Sequence, residues 1–333
     1  MPAIIETKNL TKRYGSLIAV NDLSLSVEQG AIYGFVGPNG AGKTTTMRMI
    51  TTLLQPTSGE AWVAGHSATR DPRGVRRSIG YMPDFFGVYD DMKVWEYLDF
   101  FAACYEIPET TRAGLINDLL ALVDLSHRRE DMVDTLSRGM KQRLCLARTL
   151  AHDPQILILD EPASGLDPRA RIEIRELLLE LSRMGKTIFF STHILADVAE
   201  ICTQVGIVEA GKLVAQGSLE EMQRRLRPHR RLHITLLGRA EEAQAALVGR
   251  DGVLEARLAA PPANSAPAAE GAASPAASTP SAQTVEVDFT GGDEAVSALL
   301  RELVGRGLPV LRFTESVYDL EDVFMHATKG IVS

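Results

Sequence analysis

The eight residues Gly37-Pro38-Asn39-Gly40-Ala41-Gly42-Lys43-Thr44 restrict what this chain can fold into more than any other stretch. They fit the pattern GxxxxGK[ST]. In that pattern glycines let the backbone wrap close to phosphate, so that successive N–H groups point inward as a nest. Such a loop works only between a strand and a helix. The flanking text supplies both: AIYGFV reads as a strand, and KTTTMRMITTLL reads as a helix. The positive end of that helix adds to the attraction for anions. Lys43 would reach the outer phosphates, the Thr44 hydroxyl would ligate Mg²⁺, and Thr45 follows on the same turn. The stretch implies a nucleotide site.

The surrounding text suits a sheet covered by helices. Strand-like runs stand at 4–7, 23–27, 31–36, 61–63, 156–160, 187–191 and 205–208, with amphipathic segments between them. Ile174, Leu177, Leu178 and Leu181 share one helix face, at i, i+3, i+4 and i+7. This alternation implies a mostly parallel sheet. From Lys93 to about Val123 it is interrupted by a helical insert, around which Phe85, Phe86, Tyr89, Trp95, Tyr97, Phe100 and Phe101 crowd. A packed helix pair accounts for most of these aromatics.

Two acids close the apolar run Ile156-Leu157-Ile158-Leu159-Asp160-Glu161. A carboxylate at the end of a buried strand beside a phosphate loop holds Mg²⁺, commonly through water. That role suits Asp160. Glu161, one residue on, is placed to polarise an attacking water as general base. His193 follows the strand TIFFST, at the sheet edge where strand ends gather around a ligand.

Composition narrows the partners. The 333 residues suit a large and a small domain, and 45% hydrophobic residues are enough for a sizeable core. A net charge of -8 gives no whole-chain field for nucleic acid. Cys104, Cys145 and Cys202 lie far apart and form no CxxC pair, which fits a reducing cytosol rather than a zinc site or a disulfide scaffold. The first fifteen residues have no apolar signal-peptide core, and no uncharged apolar run approaches a membrane span. The expectation is a cytoplasmic chain that reaches a membrane only through a partner.

The expected division is a nucleotide-binding domain over 1–226, with a helical subdomain over about 85–150, and a small α+β domain over 231–330. In the latter RLHITLLG, TVEVDF and LPVLRF read as strands and DEAVSALLRELVGRG as a helix. An Ala/Pro/Ser-rich loop over about 257–283 interrupts it, too poor in apolar surface to offset its ordering entropy.

Leu136-Ser137-Arg138-Gly139-Met140-Lys141-Gln142-Arg143 resembles the LSGGQ signature of ABC ATPases, with Arg138 and Met140 departing from the commonest letters. The order then matches that family over about two-thirds of the chain: Tyr14, the phosphate loop, Asp84, the signature, Asp160–Glu161, Ser164-Gly165-Leu166-Asp167 and His193. The fold implied is the ABC type of P-loop NTPase, an α/β mixed sheet with an antiparallel β part and a helical subdomain. The resemblance further implies a head-to-tail homodimer burying two ATP molecules. Ser137 and Gly139 of one subunit would contact the γ-phosphate held by the other. Tyr14 would stack on adenine, Asp167 would line the seam, and His193 would sense the γ-phosphate. Where the family usually has glutamine, a Mg²⁺ ligand and hinge to the membrane subunit, this chain has Asp84. Aspartate keeps an oxygen ligand, adds negative charge and loses the amide donor.

The stretch Ser316-Val317-Tyr318-Asp319-Leu320-Glu321-Asp322-Val323-Phe324-Met325-His326 resembles the end of daunorubicin-resistance-type exporter ATPases. A separate integral-membrane permease is the partner this implies, with the chain peripheral on the inner face of the membrane. ABC ATPases of DNA repair and translation share the motifs without transporting anything. The former carry long coiled-coil insertions and the latter two cassettes, and this chain has neither. An interaction protein with a degenerate site is the third alternative, but every chemical position here is filled.

Overall fold

The computed structural model describes residues 2–84, 87, 91–218, 221–222, 230–259 and 282–316. They fall into two compact units, 2–222 and 230–316.

The first unit opens with a long strand, β1 (Ala3–Tyr14), followed by β2 (Leu17–Leu23), β3 (Ser26–Glu28) and β4 (Ile32–Val36). The expected single strand over 23–27 is broken. Thr7 Oγ1 donates to Leu23 O and accepts from the Leu25 N–H, so one side chain replaces a ladder step at Ser24–Leu25. Next come α1 (Lys43–Ile50), β5 (Ser58–Val63), β6 (His66–Ser67), α2 (Pro72–Ser78) and β7 (Ile79–Met82). Helix α1 ends before Leu54, the end of the predicted helix, because Thr52 turns left-handed at φ 67°. The helical insert is α3 (Val94–Cys104) and α4 (Glu109–Leu122), and α5 (Arg138–Leu150) carries the signature. The unit continues with β8 (Ile156–Asp160), α6 (Pro168–Arg183), β9 (Thr187–Thr192), α7 (Leu195–Ile201), β10 (Gln204–Glu209) and β11 (Lys212–Ser218).

These strands form two sheets rather than one mostly parallel sheet. One is antiparallel, ordered β2-β1-β5-β6 with β3 also paired to β1. The other runs β11-β10-β4-β9-β8-β7, parallel except for β11. The central strands are apolar throughout because both of their faces are covered. Tyr33, Phe35, Ile156, Ile158 and Phe189 face a core shared with the antiparallel sheet and α1. Ile32, Val36, Leu157, Leu159, Ile188 and Phe190 face the core that includes α5, α6 and the helical insert. In that second core lie Ile174, Leu177, Leu178 and Leu181, the face read from helical spacing. Of the insert's aromatics, Tyr97 is buried, Trp95 and Phe101 pack against the core, and Phe100 is exposed. Phe85, Phe86 and Tyr89 lie outside the described residues.

The second unit is a split βαβ arrangement: β12 (Arg230–Leu237), α8 (Ala240–Leu247), β13 (Val253–Leu258), β14 (Ala282–Phe289), α9 (Asp293–Gly305) and β15 (Val310–Ser316), in sheet order β13-β14-β12-β15. Leu232, Ile234, Leu236, Val285, Val287 and Phe289 alternate onto its apolar face. Two elements were not legible, α8 and β13. Residues 257–258 and 282–283, expected in the Ala/Pro/Ser-rich loop, are strand, held by pairing of β13 and β12 with β14. The interior of that loop and the stretch 317–326 lie outside the described residues.

Candidate active site

The parallel order β10-β4-β9-β8-β7 gathers the C-terminal ends of five strands at one end of the sheet, where ligands of such folds bind. Strand β4 delivers the phosphate loop, β9 delivers His193, β8 delivers Asp160 and Glu161, and β7 leads to Asp84. A cavity of about 310 Å³ lies there, lined by the continuous run Pro38–Thr45 together with Ala19, Asp84, Glu161, Ser164 and His193.

Gly42 turns the loop into α1. It is left-handed at φ 97°, and an added Cβ would stand 2.5 Å from Ala19 O. Lys43 is buried, with Nζ donating to Gly37 O at 2.7 Å and Pro38 O at 3.2 Å. The same Nζ lies 3.4 Å from Glu161 Oε1. The other carboxylate oxygen of Glu161 pairs with His193 Nδ1 at 2.8 Å. An ionised carboxylate only accepts, so Nδ1 donates to it, and Nε2 can donate to an anion only when the ring carries a second proton. Glu161 holds this position from a left-handed backbone, φ 51°. For a non-glycine residue that conformation is costly and concentrates at functional sites.

Asp160, next to Glu161 in sequence, is buried at 1% exposure and is not among the residues lining the cavity. Its Oδ1 accepts from Ser191 Oγ at 2.6 Å, while Oδ2 has no hydrogen-bond partner. Ser191 also accepts from the Glu161 N–H at 2.9 Å, so one hydroxyl sets both acids. The parallel register opposes Asp160 to Ser191. Sequence reading missed this serine. Its only signal was a small hydroxyl residue inside the apolar run TIFFST. Burial and the charges of Asp160 and Glu161 push the Asp84 carboxyl above its ordinary range, against the pull of Arg138 and Lys43. An orphaned buried carboxylate oxygen, with the Thr44 hydroxyl and Asp84 on the cavity wall, is a hard-oxygen donor set that suits Mg²⁺.

Ser137, Gly139 and Asp167 lie elsewhere. They line a second cavity of about 230 Å³, with Arg138, Arg143 and Arg169 among its walls. Ser137 caps α5 by accepting from the Met140 N–H, and Asp167 caps α6 by accepting from the Ala170 N–H. Two helix N-termini and three arginines therefore face one hollow, an environment for an anion. Tyr14, about half exposed at the end of β1, lines neither cavity; Lys12 Nζ stands 5.3 Å from its ring centre.

Several known proteins are similar to this chain in sequence and in fold. The family model described as ABC transporter matches residues 20–164. The bacitracin transport ATP-binding protein BcrA of Bacillus licheniformis is 40% identical over 230 residues, covering 69% of this chain and 74% of that protein. The Nod factor export ATP-binding protein I of Burkholderia orbicola is 39% identical over 216 residues, covering 65% and 71%. Among solved structures, an ATP binding subunit of an ABC transporter superposes with a TM-score of 0.61 at 30% identity, covering 67% of this chain and 93% of that one. The ATP-binding cassette MJ0796, in a dimeric post-hydrolysis state bound to ADP and Pi, gives a TM-score of 0.59 at 25% identity, covering 65% and 98%.

Proposed function

The chain belongs to the ABC transporter ATP-binding proteins, and from that premise we propose that it hydrolyses ATP to drive export through a separate integral-membrane permease. The observation that carries this reading is the meeting of Lys43, Glu161 and His193 on the wall of the phosphate-loop cavity.

Substrate phosphates are held by the N–H groups of the loop and the N-terminus of α1, with Lys43 supplying positive charge. Thr44, Asp84 and Asp160 would hold Mg²⁺, which when bound neutralises charge on the phosphate oxygens. Glu161 accepts a proton from the attacking water, and His193, held by Glu161 at Nδ1, donates from Nε2–H to the terminal phosphate as the doubly protonated ring. Tyr14 supplies an aromatic face for the base.

Each subunit has two anion-binding hollows, and the second completes the site of a partner. Ser137 and Gly139 of one subunit then close on the γ-phosphate held by the other, with Asp167 at the seam. Nucleotide favours this closed head-to-tail dimer because its terminal phosphate touches both subunits. Hydrolysis removes that contact, the dimer opens, and the permease changes state. Among the described residues no helix is long and apolar enough to cross a membrane. Association with the inner face is through the permease. BcrA and the Nod factor protein are named for bacitracin transport and Nod factor export, which supports export here.

The test is Glu161→Gln in the full chain with its permease. ATP binding should be retained while phosphate release falls by about a hundredfold or more, and a dimer should accumulate on size exclusion. Wild-type turnover by this variant removes Glu161 from the mechanism. A chain that stays monomeric with ATP bound and cleavage blocked overturns the dimer.

A further inference from the structure

The loop that joins β8 to α6 borders both cavities. Ser164 lines the phosphate cavity, and Gly165, Leu166 and Asp167 line the second hollow. Alternate carbonyls of this loop are bound by side chains of the flanking helices. Pro162 O accepts from the buried Gln142 amide, Ser164 O from Arg138 Nη2 at 3.1 Å, and Leu166 O from Arg171 Nη2 at 3.4 Å. Arg138 and Gln142 stand four residues apart on α5, so both project from one face of the signature helix.

Arg138 makes a second contact with the loop. A Cβ built on Gly165 would stand 2.5 Å from Arg138 Cζ and 2.6 and 2.7 Å from its two terminal nitrogens. Near-equal distances to three atoms of a planar group put that point over its face. The guanidinium therefore fills the space that a side chain at 165 would need. Gly165 is left-handed at φ 67°, so glycine serves both the turn and the arginine above it. The first turns of α5 and α6 meet beside this contact, where a Cβ on Gly139 would stand 3.2 Å from Ala170 Cβ. Glycine, which the LSGGQ pattern has in place of Arg138, could neither reach the Ser164 carbonyl nor cover Gly165.

We propose that Arg138 is a positioning residue that joins the loop Ser164–Asp167 to the signature helix as one rim. Ser137, Gly139 and Asp167 then reach a partner's nucleotide in a fixed mutual geometry. The inference rests on the ATPase reading above and goes beyond it by giving a departure from the family's common letters a role within its own subunit. Turnover needs the closed dimer and so depends on that rim. Nucleotide capture by a lone subunit, made by the phosphate loop and Lys43, does not.

The test compares steady-state hydrolysis by the full chain with its permease against nucleotide affinity of the monomer, titrated with a fluorescent ATP analogue at concentrations where light scattering shows no dimer. Arg138→Gly should lower kcat by about fivefold or more, with the monomer's dissociation constant within about twofold of native. Gly165→Ala puts a methyl where the guanidinium lies and should lower kcat too. In a double-mutant cycle the alanine should cost much less in the Arg138→Gly background. Its clash is then gone, while the cost of the left-handed backbone is common to both backgrounds. Arg138→Lys keeps the charge but has no planar group to lay over Gly165, and should recover little of the lost turnover. Unchanged kcat in Arg138→Gly, independent losses in the cycle, or equal falls in affinity and kcat overturn the proposal. Full turnover by the lysine variant also overturns it, by assigning the arginine's charge and not its placement. Coincident thermal transitions of the variants exclude misfolding as the cause of a loss. A native chain that does not hydrolyse ATP would instead sink the ATPase reading.

Discussion

His193 Nδ1 sits 2.8 Å from Glu161 Oε2, although the two residues are 32 positions apart in sequence. The bond joins the end of β9 to the end of β8, occupies Nδ1 and leaves Nε2 as the ring nitrogen available to a ligand. Glu161, spanned by His193 on one oxygen and Lys43 on the other, has little freedom to leave the phosphate end of the cavity.

Replacing His193 by alanine should therefore act on turnover more than on binding. We expect phosphate release to drop by about a hundredfold, with ATP affinity within a few-fold of native. A variant that loses binding and turnover in parallel would show that His193 shapes the cavity instead of acting on the terminal phosphate. Single-turnover kinetics with equilibrium nucleotide titration separates these outcomes.

Ser191→Ala removes one hydroxyl that holds two acids. It leaves Asp160 Oδ1 and the Glu161 N–H without their partner. The expected cost is about 1–3 kcal/mol of folding stability, read from urea unfolding. The Mg²⁺ concentration for half-maximal hydrolysis should also rise, because Asp160 loses its orientation. An unchanged Mg²⁺ dependence would confine Ser191 to a structural role.

Gly42→Ala tests the loop geometry directly. Its Cβ would meet Ala19 O at 2.5 Å, on a backbone that L side chains adopt at a cost. About 1–3 kcal/mol of strain follows, and the loop must shift to release it. Nucleotide binding should fall below detection while circular dichroism stays native. Tight binding by this variant would mean that the loop can form without glycine there.

Asp197 predicts a pH effect. It is buried at the start of α7, with Oδ1 3.5 Å from Arg175 Nη1, and neither of its oxygens makes a hydrogen bond. Burial, which outweighs the attraction of Arg171 and Arg175, raises its folded pKa above the unfolded value. An aspartate raised in this way favours the fold most when protonated. Its contribution is present below the unfolded pKa and is lost as pH rises through the folded pKa. Arg175→Ala leaves the carboxylate with less compensation and should cost roughly 3 kcal/mol at neutral pH, and less as pH falls toward 5. Denaturant midpoints measured across that range, with Asp197→Asn as the control lacking the titration, check both sign and source. A loss that does not vary with pH would place its cause elsewhere.

Much of the chemistry was legible because it is local. The stretch Gly37–Thr44 specifies a strand, a nest and a helix start within a dozen residues, and Ile156–Asp160 specifies a strand buried on both faces. The face of α6 followed from spacing alone. Elements whose apolar pattern is short or mixed, such as β7, β11, β13 and α8, were not recovered. Their stability comes from pairing with distant strands or from packing, and local propensity does not register either.

The sequence by itself determined which reactive groups exist and in what order: the phosphate loop, the signature, the acid pair and the histidine, each carried by its own turn chemistry. Only the tertiary structure decided which of them meet. The order β4-β9-β8 brings His193 and Ser191 to the acids and leaves Ser137, Gly139 and Asp167 on a separate hollow. It also laid Arg138 over Gly165. Contacts of this kind depend on strand order and helix docking. Those are set by burial of apolar faces across the whole unit, so the spacing of residues along the chain does not encode them.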